Sequence, residues 1–370
     1  MTIGFDAKRL FHNHTGLGVY SRLLVKGLEK LHPSLEIILF DANPGKSLYK
    51  DFETFPVIHS KKILWRSWRM TRDIVKSQCD IFHGLSHELP VSLQHTGVKS
   101  VVTIHDVIFL RYPQLYPWPD RKIYAWKWKH SCRIADRIIA VSQQTRADLC
   151  HYYQVDEGKI DVIPPPVAIE NSAIDLKEFR ASENLPSDFL LSVGSLTERK
   201  NISLIIEALV ALNKEERIPL VIVGTGSQKN KLESLVRKHR LEGMVIFRDH
   251  VPTNKLPGYY QAATAFIYPS IYEGFGLPIV ESLLNKTPVI TSAISAMPEA
   301  AGPGALYIDP FDSESLTEAI RKIENDSELR QRLSSDGYQH SLQFAPEVIC
   351  QKQWEVYKKV KSRKESLSGW

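Results

Sequence analysis

The chain has 370 residues, of which 43 % are hydrophobic and 24 % charged, with 19 Gly and 21 Pro. At roughly 100–200 residues per domain this allows two or three globular domains, and it excludes disorder, collagen and coiled coil. Lys and Arg number 47 against 42 Asp and Glu, so the net charge of +5 is too mild to call for a nucleic-acid partner.

No apolar run approaches the ~18 residues of a membrane span. The chain opens on a strand-like MTIGFDAKRL, unlike a charged-then-apolar leader, and a cytoplasmic protein that neither spans nor is secreted is expected. Cys79, Cys132, Cys150 and Cys350 lie far apart without a C-x-x-C pair, which points away from zinc and from a disulfide framework.

The first predicted strand, IGF at Ile3, leads into HNHTGLGVYSRLL. There Gly16 and Gly18 stand between strand and helix, where backbone amides and a helix N-terminus can approach an anion. Ser21 replaces the third glycine of a dinucleotide fingerprint, and no acid closes the second strand before Asp41, so NAD is disfavoured. His12-Asn13-His14 reads as a polar loop. After EIILF at Glu36 comes KKILWRSWRMTRDIVK, residues 61–76, with Leu64, Trp65, Trp68 and Val75 near one helical face and basic side chains around the others. That pattern suits either an anionic bilayer or a solvated helix whose tryptophans face the core. Strands CDIFHG, SVVTIHD, RIIAVS and KIDVIP follow, and His105-Asp106 closes the second of them. A lone histidine there is most often structural.

Pro164 to Pro166 and the polar stretch through Asn184 read as a linker. The strand pattern restarts with FLLSVGS, PLVIVGTGS, MVIF, TAFIYPS, PVIT and ALYIDP. Alternation of β and helical runs in both halves predicts two parallel sheets, with ligands where strands end in small or polar residues. The expected division is 1–165, a linker at 166–185, 186–345, and a terminal helix within 346–370.

In the second half Arg199-Lys200-Asn201 opens a helix, placing two cations beside amide donors as a diphosphate requires; a surface ion pair is the plainer alternative. Gly224 and Gly226, with Lys229 at the third position, suggest only a strand-to-helix turn. The most informative stretch is YPSIYEGFGLPIVESLLNKTPVI. Glu273 precedes Gly274-Phe275-Gly276, and Pro278 suits the first turn of a helix that carries Glu281. Two carboxylates near a cleft fit a glycosidase pair, but the glycine-rich turn between them favours a phosphate.

These residues resemble the retaining glycosyltransferases of family four, of GT-B architecture: two Rossmann-like, doubly wound α/β domains facing across a cleft. The matching pieces are TGLGVYSRLL, TIHDVIFLRYP, IAVSQQTRADL, VGSLTERKNISLIIEAL, YPSIYEGFGLPIVESLL and MPEAAGPGALYIDP, in the family's order over nearly the whole chain. The resemblance implies a nucleotide-sugar donor on the second domain and an acceptor on the first. Glu281 would hold the ribose hydroxyls and Glu273 hydroxyls of the transferred sugar. Amides of Gly274, Phe275, Gly276 and Leu277 would meet sugar and phosphates. Arg199 and Lys200 would neutralise the departing diphosphate. Gly16 and Gly18 would close on the phosphate, and His105 would line the sugar site near its 6-hydroxyl. The final helix would return to the first domain, and the linker would serve as a hinge.

Some relatives have an arginine directly after the glycine matching Gly194; this chain has Ser195 in that donor-side loop, so the cationic clamp would rest on Arg199 and Lys200. There is no Asp-x-Asp motif, and no metal or resident cofactor is expected. The YEGFGLP and ERKN variants look most like hexosyltransferases using GDP-mannose, with a UDP-sugar as the other option, acting on a glycan or lipid-linked acceptor in surface-polysaccharide assembly. A lipid-linked acceptor would suit basic, tryptophan-bearing residues 61–76 and WPDRKIYAWKWKH, as peripheral contact with an anionic membrane at the inner face. The rival readings are a nucleotide-sugar epimerase or phosphorylase on the same scaffold, and a non-catalytic scaffold.

Overall fold

The computed structural model describes residues 1–43, 49–52, 54–62, 64–168 and 174–362. The chain divides into unit 1, Met1–Val167 with Phe344–Trp370, and unit 2, Ala168–Gln343.

Unit 1 is built on a seven-stranded parallel sheet. Its strands are β1 (Thr2–Asp6), β2 (Glu36–Asp41), β3 (Val57–His59), β4 (Ile81–Gly84), β5 (Lys99–Ile104), β6 (Arg137–Ala140) and β7 (Ile160–Val162). They lie in the order β3-β2-β1-β4-β5-β6-β7, so strand order reverses between β1 and β4. Neighbouring side chains along one strand enter different cores: Leu39, Ile81, Val101 and Ile139 pack in one, and Phe40, Phe82, Val102 and Ile138 in the other. A strand buried on both faces has no polar side to show, which is why these segments read as continuous apolar runs. The Gly16–Leu31 helix contributes Leu24, Val25 and Leu28 to the first core, and Met70, Ile74 and Leu149 from two other helices fill the second.

Unit 2 repeats the plan with six parallel strands: β8 (Leu190–Val193), β9 (Leu220–Val223), β10 (Val245–Arg248), β11 (Ala265–Tyr268), β12 (Val289–Ser292) and β13 (Ala305–Ile308). Their order is β10-β9-β8-β11-β12-β13, and the reversal falls between β8 and β11. Doubly wound sheets bind ligands at such reversals, beyond the carboxyl ends of the strands.

Three sequence expectations are corrected. The short edge strand β3 was not foreseen: it has only two apolar residues, Val57 and Ile58, both half-buried, between Pro56 and the exposed His59. The stretch expected to link 166–185 contains a helix, Leu176–Ser182, whose N-cap Asp175 accepts from the Lys177 and Glu178 amides; Phe179 packs on Tyr259 of unit 2, with ring centroids 5.5 Å apart. Residues 169–173 of the proposed hinge lie outside the described residues. Residues 61–76 are not one helix either: a π-helical turn, Trp65–Arg69, precedes a helix at Met70–Lys76. Trp65 turns inward and donates from Nε1 to Asp73 at 2.6 Å, whereas Trp68 remains exposed. Ile63 of that stretch is not among the described residues.

The Pro346–Ser362 helix belongs to unit 1, where Ile349, Cys350, Val356 and Tyr357 enter the first core; residues 363–370 lie outside the description. A buried polar chain holds it there. Tyr357 Oη lies 2.7 Å from His83 Nδ1, His83 Nε2 lies 2.9 Å from Thr103 Oγ1, and Tyr20 Oη reaches the same hydroxyl at 2.8 Å. Burial lowers the His83 pKa to about 3, so the ring is neutral and can serve as donor on one side and acceptor on the other. Removing one end strands a buried nitrogen. Tyr357→Phe is expected to destabilise unit 1 by about 1–3 kcal/mol, read as a lower denaturant midpoint, with Tyr338→Phe of unit 2 as the control substitution.

Candidate functional site

The loop after β8 carries Gly194, the exposed Ser195, and a short turn Glu198–Lys200. Gly224 and Gly226, after β9, set the height of that loop. A Cβ on Gly224 would fall 1.9 Å from Gly194 O, and one on Gly226 would fall 2.3 Å from Leu196 O. This glycine pair thus serves close backbone packing beneath the Arg199-Lys200 turn, and Lys229 pairs with Asp249 and Glu233.

After β11 the chain runs through Ser270, Tyr272, Glu273 and the Gly274–Gly276 turn into the Leu277–Leu284 helix. Gly276 caps that helix at φ +113°, a conformation that L side chains rarely adopt. Pro278 sits in its first turn, where a missing N–H costs nothing. Gly274, Phe275 and Gly276 are buried, and Leu277 is half-buried.

Between the two loops three charges meet. Glu273, only 8 % exposed, accepts from Lys200 Nζ at 2.7 Å through Oε1, and Arg199 Nη1 contacts the same oxygen. Arg199 Nη1 also donates to Tyr272 O at 2.7 Å, and the Ile271 amide donates to Arg199 O at 3.0 Å, so the cationic turn is stitched to the glutamate loop. Lys200 Nζ additionally meets the Tyr268 hydroxyl at the end of β11. Ser295 bonds both ends of the Glu273 peptide: Oγ accepts from Glu273 N at 3.1 Å and donates to Glu273 O at 2.9 Å. Burial by itself would raise the Glu273 pKa, but Lys200 and Arg199 overcome it and hold the carboxyl at about 2. Burial lowers the Lys200 pKa, opposed by Glu273. A carboxylate so firmly ionised cannot deliver or store a proton near neutrality.

Glu281 lies one turn into the Leu277–Leu284 helix. Its Oε2 accepts from the Tyr260 hydroxyl at 2.9 Å, and burial raises its pKa while that hydrogen bond lowers it. Tyr260, Tyr268 and Ser295 were not singled out in the sequence. Their one legible signal is that Tyr268 closes the apolar run AFIY immediately before Pro269-Ser270.

The remaining candidates lie in unit 1. His105 follows β5; its Nε2 is 2.9 Å from Leu85 O, and its ring meets that of Tyr20 edge-on at 4.7 Å. A carbonyl only accepts, so Nε2 bears the hydrogen, and burial lowers the pKa to about 4; the neutral ring therefore presents Nδ1 as an acceptor. His87 lies beside it, ring centroids 5.2 Å apart, and stacks on Trp128 at 3.9 Å. The Gly16 and Gly18 region starts the Gly16–Leu31 helix, but Asn13 occupies its mouth: Asn13 Oδ1 accepts from Thr15 N at 2.8 Å and Gly18 N at 3.2 Å. A Cβ on Gly18 would fall 1.9 Å from Asn13 O, so this glycine is needed for chain packing in any case. His12 pairs with Asp41 at 3.0 Å and His14 with Tyr49 at 2.8 Å, as a polar loop would. No cluster of three metal-ligating side chains occurs among the described residues.

The ion cluster has a pH signature. Glu273 has its pKa lowered from 4.5 to about 2 on folding, so its contribution is fully present above about pH 4.5 and is lost as pH falls towards 2. The lost contribution is on the order of 3 kcal/mol. Glu273→Gln is expected to flatten the acid limb of unit 2 unfolding over that window, measured by denaturant titration at successive pH values.

Comparison with known proteins agrees with this architecture. Residues 14–171 match the family model Glycosyltransferase Family 4, and residues 175–340 match Glycosyl transferases group 1. The chain is 28 % identical to the O-antigen chain mannosyltransferase B of Escherichia coli, over 97 % of this chain and 100 % of that one. Among solved structures, sucrose-phosphate synthase from Thermosynechococcus elongatus superposes with a TM-score of 0.80 at 21 % identity, covering 98 % of this chain and 100 % of that one. Anabaena HepE, solved in complex with UDP, gives 0.77 at 17 % identity, covering 97 % and 99 %. With both domain families matched in sequence and both parallel sheets in place, the chain belongs to the GT-B glycosyltransferases of family four and group 1.

Proposed function

We propose that the protein transfers a hexose, with mannose from GDP-mannose the first choice, from a nucleotide sugar to a hydroxyl of a glycan or lipid-linked acceptor in surface-polysaccharide assembly, with retention and without a metal. The observation that carries this reading is the Arg199–Lys200–Glu273 cluster at the carboxyl ends of β8 and β11, beside the N-terminus of the Leu277–Leu284 helix. Two cations against one carboxylate leave a positive excess, to which the helix N-terminus adds. A leaving nucleoside diphosphate is an anion that this excess can hold. Arg199 and Lys200 then stabilise charge as it develops on the departing phosphate, the work a metal does elsewhere. HepE in complex with UDP supports a nucleotide-sugar donor, and the name of the Escherichia coli relative supports mannose and a polysaccharide product.

The remaining roles are those the family resemblance implies for these residues. Glu281 holds ribose hydroxyls through its carboxylate, steadied by Tyr260. Glu273 accepts from hydroxyls of the transferred sugar while its charge opposes the effect of burial on Lys200. The amides of the Gly274–Leu277 turn contact sugar and phosphate, and Ser195 lies on the donor side. In unit 1, His105 Nδ1 accepts from a sugar hydroxyl. With Glu273 locked as a carboxylate and Glu281 assigned to the ribose, neither glutamate serves as the base. The acceptor proton passes to an oxygen of the leaving phosphate as the new glycosidic bond forms on the face that the phosphate leaves.

Nucleotide binding is tested by thermal shift with GDP, UDP, ADP and NAD. One nucleoside diphosphate should stabilise the protein by about 2.7 kcal/mol at one hundred times its Kd, and Glu281→Ala should abolish that shift; a response to NAD alone would overturn the reading. Turnover of the donor thus identified should fall about 10²–10³-fold in Lys200→Ala and persist in EDTA. Donor consumed at full rate without an acceptor would favour the epimerase or phosphorylase.

A further inference from the structure

Glu273 lies past the end of its strand, where the sheet no longer holds the chain. β11 and β12 pair in parallel as far as Tyr268 opposite Thr291, and Pro269, which has no N–H to offer a ladder, opens the segment that leads away. Hydroxyls from the β12 side take over there. Thr291 Oγ1 donates to Tyr268 O at 2.8 Å, Ser292 Oγ to Ser270 O at 2.7 Å, and Ser295 Oγ to Glu273 O at 2.9 Å. Thr291, Ser292 and Ser270 are completely buried. Side chains thus extend the pairing of β11 with β12 beyond the sheet, out to the glutamate.

The last of these hydroxyls differs from the other two. Ser295 Oγ also accepts from Glu273 N at 3.1 Å, so its hydrogen and a lone pair are both spent on one residue. Its backbone stands at φ +58°, in the left-handed region that L residues rarely adopt and glycine adopts freely. Glycine would relieve that conformation but would carry no hydroxyl. Strain of this kind persists where the surroundings over-determine it, and it gathers at functional sites. The sheet order adds a second constraint. β11 lies between β8 and β12, so Lys200 and Arg199 reach the Glu273 carboxylate from one neighbour while Ser295 holds the Glu273 backbone from the other.

We propose that Ser295 is a positioning residue: by bonding the backbone of Glu273 at both N and O, it sets where the carboxylate stands between its two cations and the transferred sugar. With its hydrogen engaged by Glu273 O, the hydroxyl is no donor to substrate, and its action passes through the glutamate. The left-handed backbone is the cost of placing a hydroxyl at that point. This deepens the proposed function, and it rests on that reading only for turnover.

The ion cluster reports position without any substrate. Ser295 is neutral, so it alters the titration of Glu273 by moving it. The titratable groups facing that carboxylate are Lys200 and Arg199 from the loop after β8 and Tyr268 at the end of β11. Against burial, which raises the Glu273 pKa, the two cations hold it at about 2. In Ser295→Gly, which also frees the backbone from strain, and in Ser295→Ala, the carboxylate should slip from the cations and its pKa rise towards 4.5. The loss of unit 2 stability between pH 4.5 and 2, followed by denaturant titration of the full chain, should then flatten towards that of Glu273→Gln. Adding Ser295→Gly to Glu273→Gln should change the slope no further. Curves displaced in parallel, with the wild-type slope kept, would show hydrogen bonds lost without movement of Glu273 and would overturn the proposal. Hydrolysis of GDP-mannose to mannose and GDP should fall about 10–100-fold in Ser295→Gly, and wild-type turnover by that variant would overturn it as well. A slope that flattens in a chain whose wild type releases no GDP would uphold the role of Ser295 and count against the donor reading, so the two failures are told apart.

Discussion

Two cations sharing one carboxylate out of water set the terms for unit 2. Taking a charge out of water is costly unless a partner offsets it, and the same Glu273 oxygen pairs with both Arg199 and Lys200. The loops after β8 and β11 must therefore stay in register within hydrogen-bond distance, and the surrounding backbone is built to keep them so. Ser295 fixes the Glu273 peptide at both ends, Arg199 is tied to the Tyr272 and Ile271 backbone, and Gly224 lets the neighbouring loop press against Gly194. The result is a turn bearing Arg199 and Lys200 held fast against the start of the Leu277–Leu284 helix.

Unit 1 solves a different problem with the same sheet. One set of its buried polar groups is neutral and satisfied in series, from Tyr357 through His83 and Thr103 to Tyr20. That chain crosses from the last helix of the sequence to the first long one, so the C-terminal segment is specified by hydrogen bonds as well as by apolar packing. Burial keeps His83, His87 and His105 neutral. His105 can thus offer a lone pair instead of a charge, which suits recognition of a hydroxyl more than of a phosphate.

Much of this was legible in the residue order. Twelve of the thirteen strands among the described residues fall on β-rich runs of the sequence, most of them apolar because a parallel sheet covered on both faces leaves no polar alternation. The Glu273 to Glu281 stretch was legible because glycine, proline and acid recur at positions with distinct backbone demands. Strand β3 was not, since Val57 and Ile58 stand alone between Pro56 and the exposed His59 at the sheet edge and make no apolar run. Which backbone lies against Gly18, Gly224 and Gly226 was not legible, because sequence reports that a glycine is present and not which neighbour requires it. Trp65 and Trp68 were placed on one face by α-helical spacing, and the π-helical turn separated them.

The sequence by itself determined the two α/β halves, the family resemblance, and the residue types of the candidate site, because these depend on local periodicity and on motifs contiguous in the chain. Only the tertiary structure decided which groups share a charge, which glycines serve packing, which tautomer His105 presents, and which tryptophans face outward. Those outcomes depend on distances between residues far apart in the chain: 73 positions separate Lys200 from Glu273, and 274 separate His83 from Tyr357. Burial and Coulomb interaction are set by such distances in space, and no local pattern encodes them.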